Sequence, residues 1–78
     1  MVMPVIYENI KTLREDRDIT QREIASYLHI AQNTYSQYET GKITFTADVL
    51  IKLARFYGVP VDYLLGLTDE TVPYPKKP

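Results

Sequence analysis

The chain contains no cysteine and no tryptophan. Without cysteine it has neither a disulfide framework nor a thiolate metal site. One histidine, His29, stands alone, and no carboxylate cluster is aimed at it in sequence, so a metal centre has no donor set. Glycine is scarce, with three copies, and none forms a phosphate-cradling loop. No apolar run approaches the roughly 18 residues that a membrane span needs. The longest uninterrupted aliphatic stretch is Val49-Leu50-Ile51. Met1 to Pro4 lacks the basic start and apolar middle of a signal peptide. These absences lead to the expectation of a soluble protein with no cofactor and no membrane partner, kept in the cytoplasm. Positive charge is not in surplus either. Nine Lys and Arg face ten Asp and Glu, a net charge of −1. A nucleic-acid surface would therefore have to come from sorting charge across faces rather than from the total.

What is present fits one small domain. Seventy-eight residues, 45% of them apolar, can build a single compact core. Hydrophobic periodicity predicts five short helices and no strands. The first is expected from about Ile6 to Arg17, with Ile6, Ile10 and Leu13 on one face. Asp18 follows at a point where the chain needs a left-handed residue, which Asp tolerates. Thr20-Gln21-Arg22-Glu23 reads as a capping box that opens the second helix, and Ile19 with Ile24 forms its hydrophobic staple. Ile24, Ala25 and Leu28 are its buried face, while Tyr27 lies off that stripe. His29 and Ile30 make a tight turn.

The third helix is expected from Gln32 to Thr40, stopped by Gly41. Thr46 caps the fourth, whose stripe is Leu50, Leu53, Ala54 and Tyr57, and Gly58 ends it. A fifth helix of about two turns is expected over 61–65, closed by Gly66. This divides the chain into an extension (1–5), a domain (6–67) and a tail (68–78). The tail has three prolines and little to bury, and disorder is expected there. Lys76 and Lys77 fit a solvated tail better than a basic arm.

The third helix carries the functional signal. Tyr35 and Tyr38 lie on one side of it, where they are expected to fill the core. Gln32, Asn33, Ser36, Gln37 and Thr40 lie on the other, which holds only amides and hydroxyls. Solvated helix faces usually use Glu and Lys, which are better helix formers than Asn, Ser or Thr. A face of neutral donors and acceptors suits the major groove of DNA, where Gln or Asn can bond adenine bidentately. The plainer reading, a polar surface with no partner, loses ground to the context. A capped helix, a tight turn and a helix with an uncharged outer face form a helix-turn-helix.

Residues from about Ile6 to Leu67, about four fifths of the chain, resemble the lambda-repressor-like, Xre/Cro-type helix-turn-helix family. The resemblance rests on Leu13-Arg14-Glu15, Thr20-Gln21-Arg22-Glu23-Ile24-Ala25, Gln32-Asn33-Thr34, Tyr38-Glu39-Thr40-Gly41-Lys42, Leu50-Ile51-Lys52-Leu53-Ala54 and Gly58-Val59-Pro60-Val61-Asp62-Tyr63-Leu64-Leu65-Gly66. Each is weak alone, but the ordered set is specific.

The resemblance implies an all-α, compact five-helix bundle whose third helix reads DNA. It implies base reading by Gln32, Asn33, Ser36 and Gln37, and backbone contacts by Gln21, Arg22 and Lys42. It also implies an ion pair between Arg14 and Glu39 that joins the first and third helices. The expected function is a sequence-specific repressor, acting as a homodimer on a two-fold symmetric double-stranded operator. Val61, Leu65 and Leu67, with Phe56, are the expected dimer surface. Two alternatives stay open: an antitoxin that also binds a toxin, and a protein-interaction module without DNA binding, which the net charge favours. Three positions depart from the family pattern. Ala31 stands where a Ser or Thr cap is common, His29 where glycine is common, and Pro60 where serine is common. Catalysis has no support, since no serine–histidine–acid set or paired carboxylate is evident.

Overall fold

The computed structural model describes residues 6–72, and five helices account for most of them. They are α1 (Glu8–Asp16), α2 (Gln21–Leu28), α3 (Gln32–Thr40), α4 (Ala47–Tyr57) and α5 (Val61–Leu64). No strand occurs among the described residues.

Local chemistry sets most boundaries. Thr20 is extended and its hydroxyl accepts from the Glu23 N–H at 3.0 Å, which satisfies one of the helix's unpaired donors. Glu23 reaches back, but its carboxylate accepts from the Thr20 hydroxyl at 3.2 Å. Thr46 caps α4 the same way, accepting from the Val49 N–H at 3.2 Å. Between helices the chain turns on left-handed residues: Asp18 (φ 54°) after α1 and His29 (φ 59°) after α2. Asp and His are among the few side chains that accept this backbone at modest cost.

Two boundaries differ from expectation. α1 begins at Glu8, because Tyr7 is extended and packs inward against Phe45, with ring centroids 6.0 Å apart. Ile6 therefore falls outside the helical phase of Ile10 and is 46% exposed, whereas Ile10 is buried. α5 is one turn long, over 61–64, because the Leu67 N–H bonds the Asp62 carbonyl and Gly66 takes a left-handed φ of 77°. Of the expected extension (1–5) and tail (68–78), residues 1–5 and 73–78 lie outside the described residues, and so do Lys76 and Lys77. Residues 68–72 form neither helix nor strand, and local bonds tie Glu70 to Thr68 and Val72 to Glu70.

Every helix contributes to one core. Ile10, Ile24, Tyr35, Leu53 and Leu64 are its most completely buried side chains. Tyr38 stacks on Phe45 with centroids 4.9 Å apart, which anchors the α3–α4 loop to α3. The Asn9 amide donates to the Tyr63 carbonyl at 2.7 Å, pinning α1 to α5. α2 packs chiefly on α3, with the small Ala25 buried. This packing holds α3 with one face inside and the other outside.

Candidate nucleic-acid interface

α3 exposes Gln32, Asn33 and Thr40 to solvent, with Ser36 and Gln37 half-buried beside them. One of these, Thr40, is less free than the helical wheel implies. The Thr40 hydroxyl donates to the Gln37 carbonyl at 3.3 Å, and that carbonyl also accepts from the Ile43 N–H. Gln32 and Asn33 thus supply the most accessible amides, in the first turn. Ala31 gives α3 no side-chain cap, so the N–H groups of that turn stay available to an acceptor outside the chain. Arg22 in the first turn of α2 and Lys42 after α3 are both exposed.

The inner side of α3 is built around an acid. Glu39 is 7% exposed. Burial alone would oppose its ionisation, but donors from Arg14, Tyr35 and Gln21 outweigh that and hold its carboxyl below the ordinary range. Arg14 grips it side-on, Nε to Oε2 at 2.7 Å and Nη2 to Oε1 at 3.1 Å. The Tyr35 hydroxyl donates to Oε2 at 2.6 Å, and the Gln21 amide to Oε1 at 3.1 Å. Arg14 also donates to the Ile19 carbonyl at 2.9 Å. One carboxylate so joins α1, α2 and α3. The hydrogen bond that Arg14 donates to Glu39 raises the Arg14 pKa, and burial together with the bond to Glu39 raises that of Tyr35, so both remain donors at any ordinary pH.

Arg14 and Glu39 are brought together as a pair, then, and Gln21 is drawn onto it. The amide assigned to the DNA backbone already spends one N–H on Glu39. Sequence reasoning treated Tyr35 as core filling and missed its hydroxyl. The i, i+4 spacing of Tyr35 and Glu39 places them on one helix face and was the available signal.

The residues assigned to a dimer surface do not share one feature. Val61 lines an open apolar groove of about 400 Å³ with Ile51, Ala54, Gly58 and Pro60. Leu65 lines a separate groove beside Ile6 and Tyr7. Leu67 is 73% exposed, and Phe56 packs on Tyr27, centroids 4.7 Å apart. Tyr27 is itself exposed, as its place off the α2 stripe implies. No group of His, Asp or Glu among the described residues is placed to hold a metal, and no helix there is long and apolar enough to cross a membrane.

A capped helix, a left-handed turn and a second helix seated on it with an uncharged outer face define a helix-turn-helix domain. Comparison with known proteins agrees: the family described as Helix-turn-helix matches residues 10–64. The chain belongs to this lambda-repressor-like helix-turn-helix family. It is similar to the cryptic phage CTXphi transcriptional repressor RstR of Vibrio cholerae, 36% identical over 63 residues, 81% of this chain and 57% of that protein. It is also similar to the antitoxin PezA of Streptococcus pneumoniae serotype 4, 31% identical over 62 residues, 80% of this chain and 39% of that protein. A solved transcriptional regulator from Listeria innocua shares the fold, with a TM-score of 0.75 and 24% identity, over 90% of this chain and 65% of that one. The chain thus spans less than two thirds of the length of these relatives.

Proposed function

We propose that the protein is a cytoplasmic transcriptional repressor that binds a two-fold symmetric DNA operator as a homodimer and reads the major groove with α3. The observation that carries this reading is the separation of chemistry on α3. Its one acid is turned inward and neutralised by Arg14, and its outward groups are amides and hydroxyls. A solvent-facing acid there would repel phosphates, whereas amides can bond base edges. Gln32, Asn33, Ser36 and Gln37 read bases, and Gln21, Arg22 and Lys42 hold the backbone. The uncapped start of α3 offers N–H groups to a phosphate. One subunit carries few such contacts, so two are needed, and their reading helices should engage half-sites about 34–36 Å apart. The apolar groove beside Val61 and the exposed Leu67 supply surface for that pairing, and the repressor RstR supports the regulatory sense.

Selection from randomised duplex DNA tests this. A two-fold symmetric site should emerge. If Arg22 and Lys42 of both subunits meet phosphates, the logarithm of affinity should fall with the logarithm of salt with a slope of roughly −3 to −4. Salt-insensitive or undetectable binding would favour a protein-interaction module. The likeness to PezA supports a second reading, an antitoxin that also binds a toxin. Stoichiometric copurification of a small unrelated protein from the native host would favour it.

A further inference from the structure

We propose that Tyr35 is a positioning residue for DNA binding: acting through Glu39, its hydroxyl fixes the Gln21 side chain and aims it at the DNA backbone. The inference rests on the DNA-binding reading above and adds a buried residue to it. Tyr35 is fully buried, so it can touch no DNA itself.

The geometry makes the relay specific. A carboxylate has about four acceptor positions, and Glu39 fills them with four donors. Each oxygen takes one bond from Arg14 and one from a neutral group, Tyr35 on Oε2 and Gln21 on Oε1. Removing the Tyr35 hydroxyl leaves Oε2 with one donor and lets the carboxylate turn within the Arg14 fork. The Gln21 bond, at 3.1 Å, is among the longer ones and yields most easily.

Gln21 occupies the first position of α2 and is half-buried, so its amide lies at the boundary between core and solvent. The two N–H bonds of a primary amide share a rigid plane. Holding one on Glu39 fixes the direction of the other. That second N–H is the one that can reach a phosphate. Tyr35 thereby joins the underside of the reading helix to a contact made by its neighbour, so the two helices meet DNA in one fixed relation.

The test uses the full chain and its selected duplex. Tyr35→Phe keeps the ring in the core, and its operator affinity should drop about three- to tenfold, the span of one ordinary hydrogen bond. Gln21→Ala should show a loss of similar size, and the double variant should lose no more than either single one. Replacing individual phosphates by neutral methylphosphonate should reveal a position that matters to the wild type but not to Gln21→Ala or Tyr35→Phe. A merely structural role for Tyr35 would not erase that dependence. Should Tyr35→Phe fold poorly, the methylphosphonate comparison of wild type with Gln21→Ala still overturns the proposal if no position distinguishes them. In the protein without DNA, the Gln21 side-chain amide resonance should move in Tyr35→Phe. An unmoved resonance, or losses that multiply in the double variant, would overturn the relay while leaving the DNA reading intact. Absence of any wild-type binding would instead overturn the DNA reading.

Discussion

Glu39 in α3 and Tyr57 in α4 are buried in the same core, yet among the described residues the carboxylate takes four hydrogen bonds and the phenol hydroxyl takes none. The contrast extends to the regions around them. The α1–α2–α3 side is held by directional bonds: a capped α2, a side-on ion pair and a filled carboxylate. The α4–α5 side is held mainly by apolar burial of Leu53, Val59 and Leu64, and it leaves Ile51, Phe56 and Leu67 at the surface. Directional bonds fix orientation, which a reading helix needs. Apolar contact is less particular about angle, and an exposed apolar surface suits association. Tyr57 does gain one compensation, the Arg17 guanidinium 5.4 Å from its ring centroid. Burial pushes its hydroxyl up to about 12, so it stays protonated.

The contrast can be broken most severely at the ion pair. Arg14→Met strands a buried carboxylate and should cost about 3–5 kcal/mol in urea unfolding. Adding Glu39→Gln should recover part of that loss. Additive single effects would mean that the pair contributes no coupling. The same pair sets an acid limit. The folded Glu39 carboxyl lies below its ordinary value of 4.5. Its contribution is therefore complete above that value and is lost as the pH falls through the lower folded value. The gap in melting temperature between wild type and Glu39→Gln should narrow as the pH drops below 4.5, and a gap constant with pH would contradict this. A smaller effect is expected at the start of α2, where Thr20→Ala should cost about 1 kcal/mol. Thermal melts measure it, and an unchanged midpoint would show that the cap is not used. The smallest effect belongs to the other side. Tyr57→Phe removes a hydroxyl without a partner and should be neutral or stabilising by up to about 1 kcal/mol. A clear loss of stability would show that the hydroxyl is engaged.

Much of this contrast was legible in the residues. Thr20 and Glu23 announce a cap by type and spacing, because the chemistry of a helix start is local. His29 and Asp18 mark the turns for the same reason. The Arg14–Glu39 pair was legible through family resemblance, since nothing local links residues 25 apart. Gln21 and Tyr35 show where such reading stops. Both were given single roles, an exposed contact and a core filler, because a one-dimensional pattern sorts residues into outside and inside. A carboxylate that collects donors from three helices is a property of packing. Ile6 failed for a related reason: its apolar spacing fitted the helix, but the inward turn of Tyr7 ended the helical phase before it. The dimer surface was drawn from apolar residues around α5, and the packing sends Val61 and Leu65 to different grooves.

We propose above all that the uncharged face of α3 reads base pairs. Gln32 offers the most direct probe, since it is exposed, lies in the first turn and takes no part in the Glu39 cluster. Wild type and Gln32→Ala should be titrated against the selected operator and against duplexes altered at each position. Gln32→Ala should lose about 1–3 kcal/mol on the operator and lose its preference at one base pair, with stability unchanged. Equal affinity and an unaltered preference profile would contradict it.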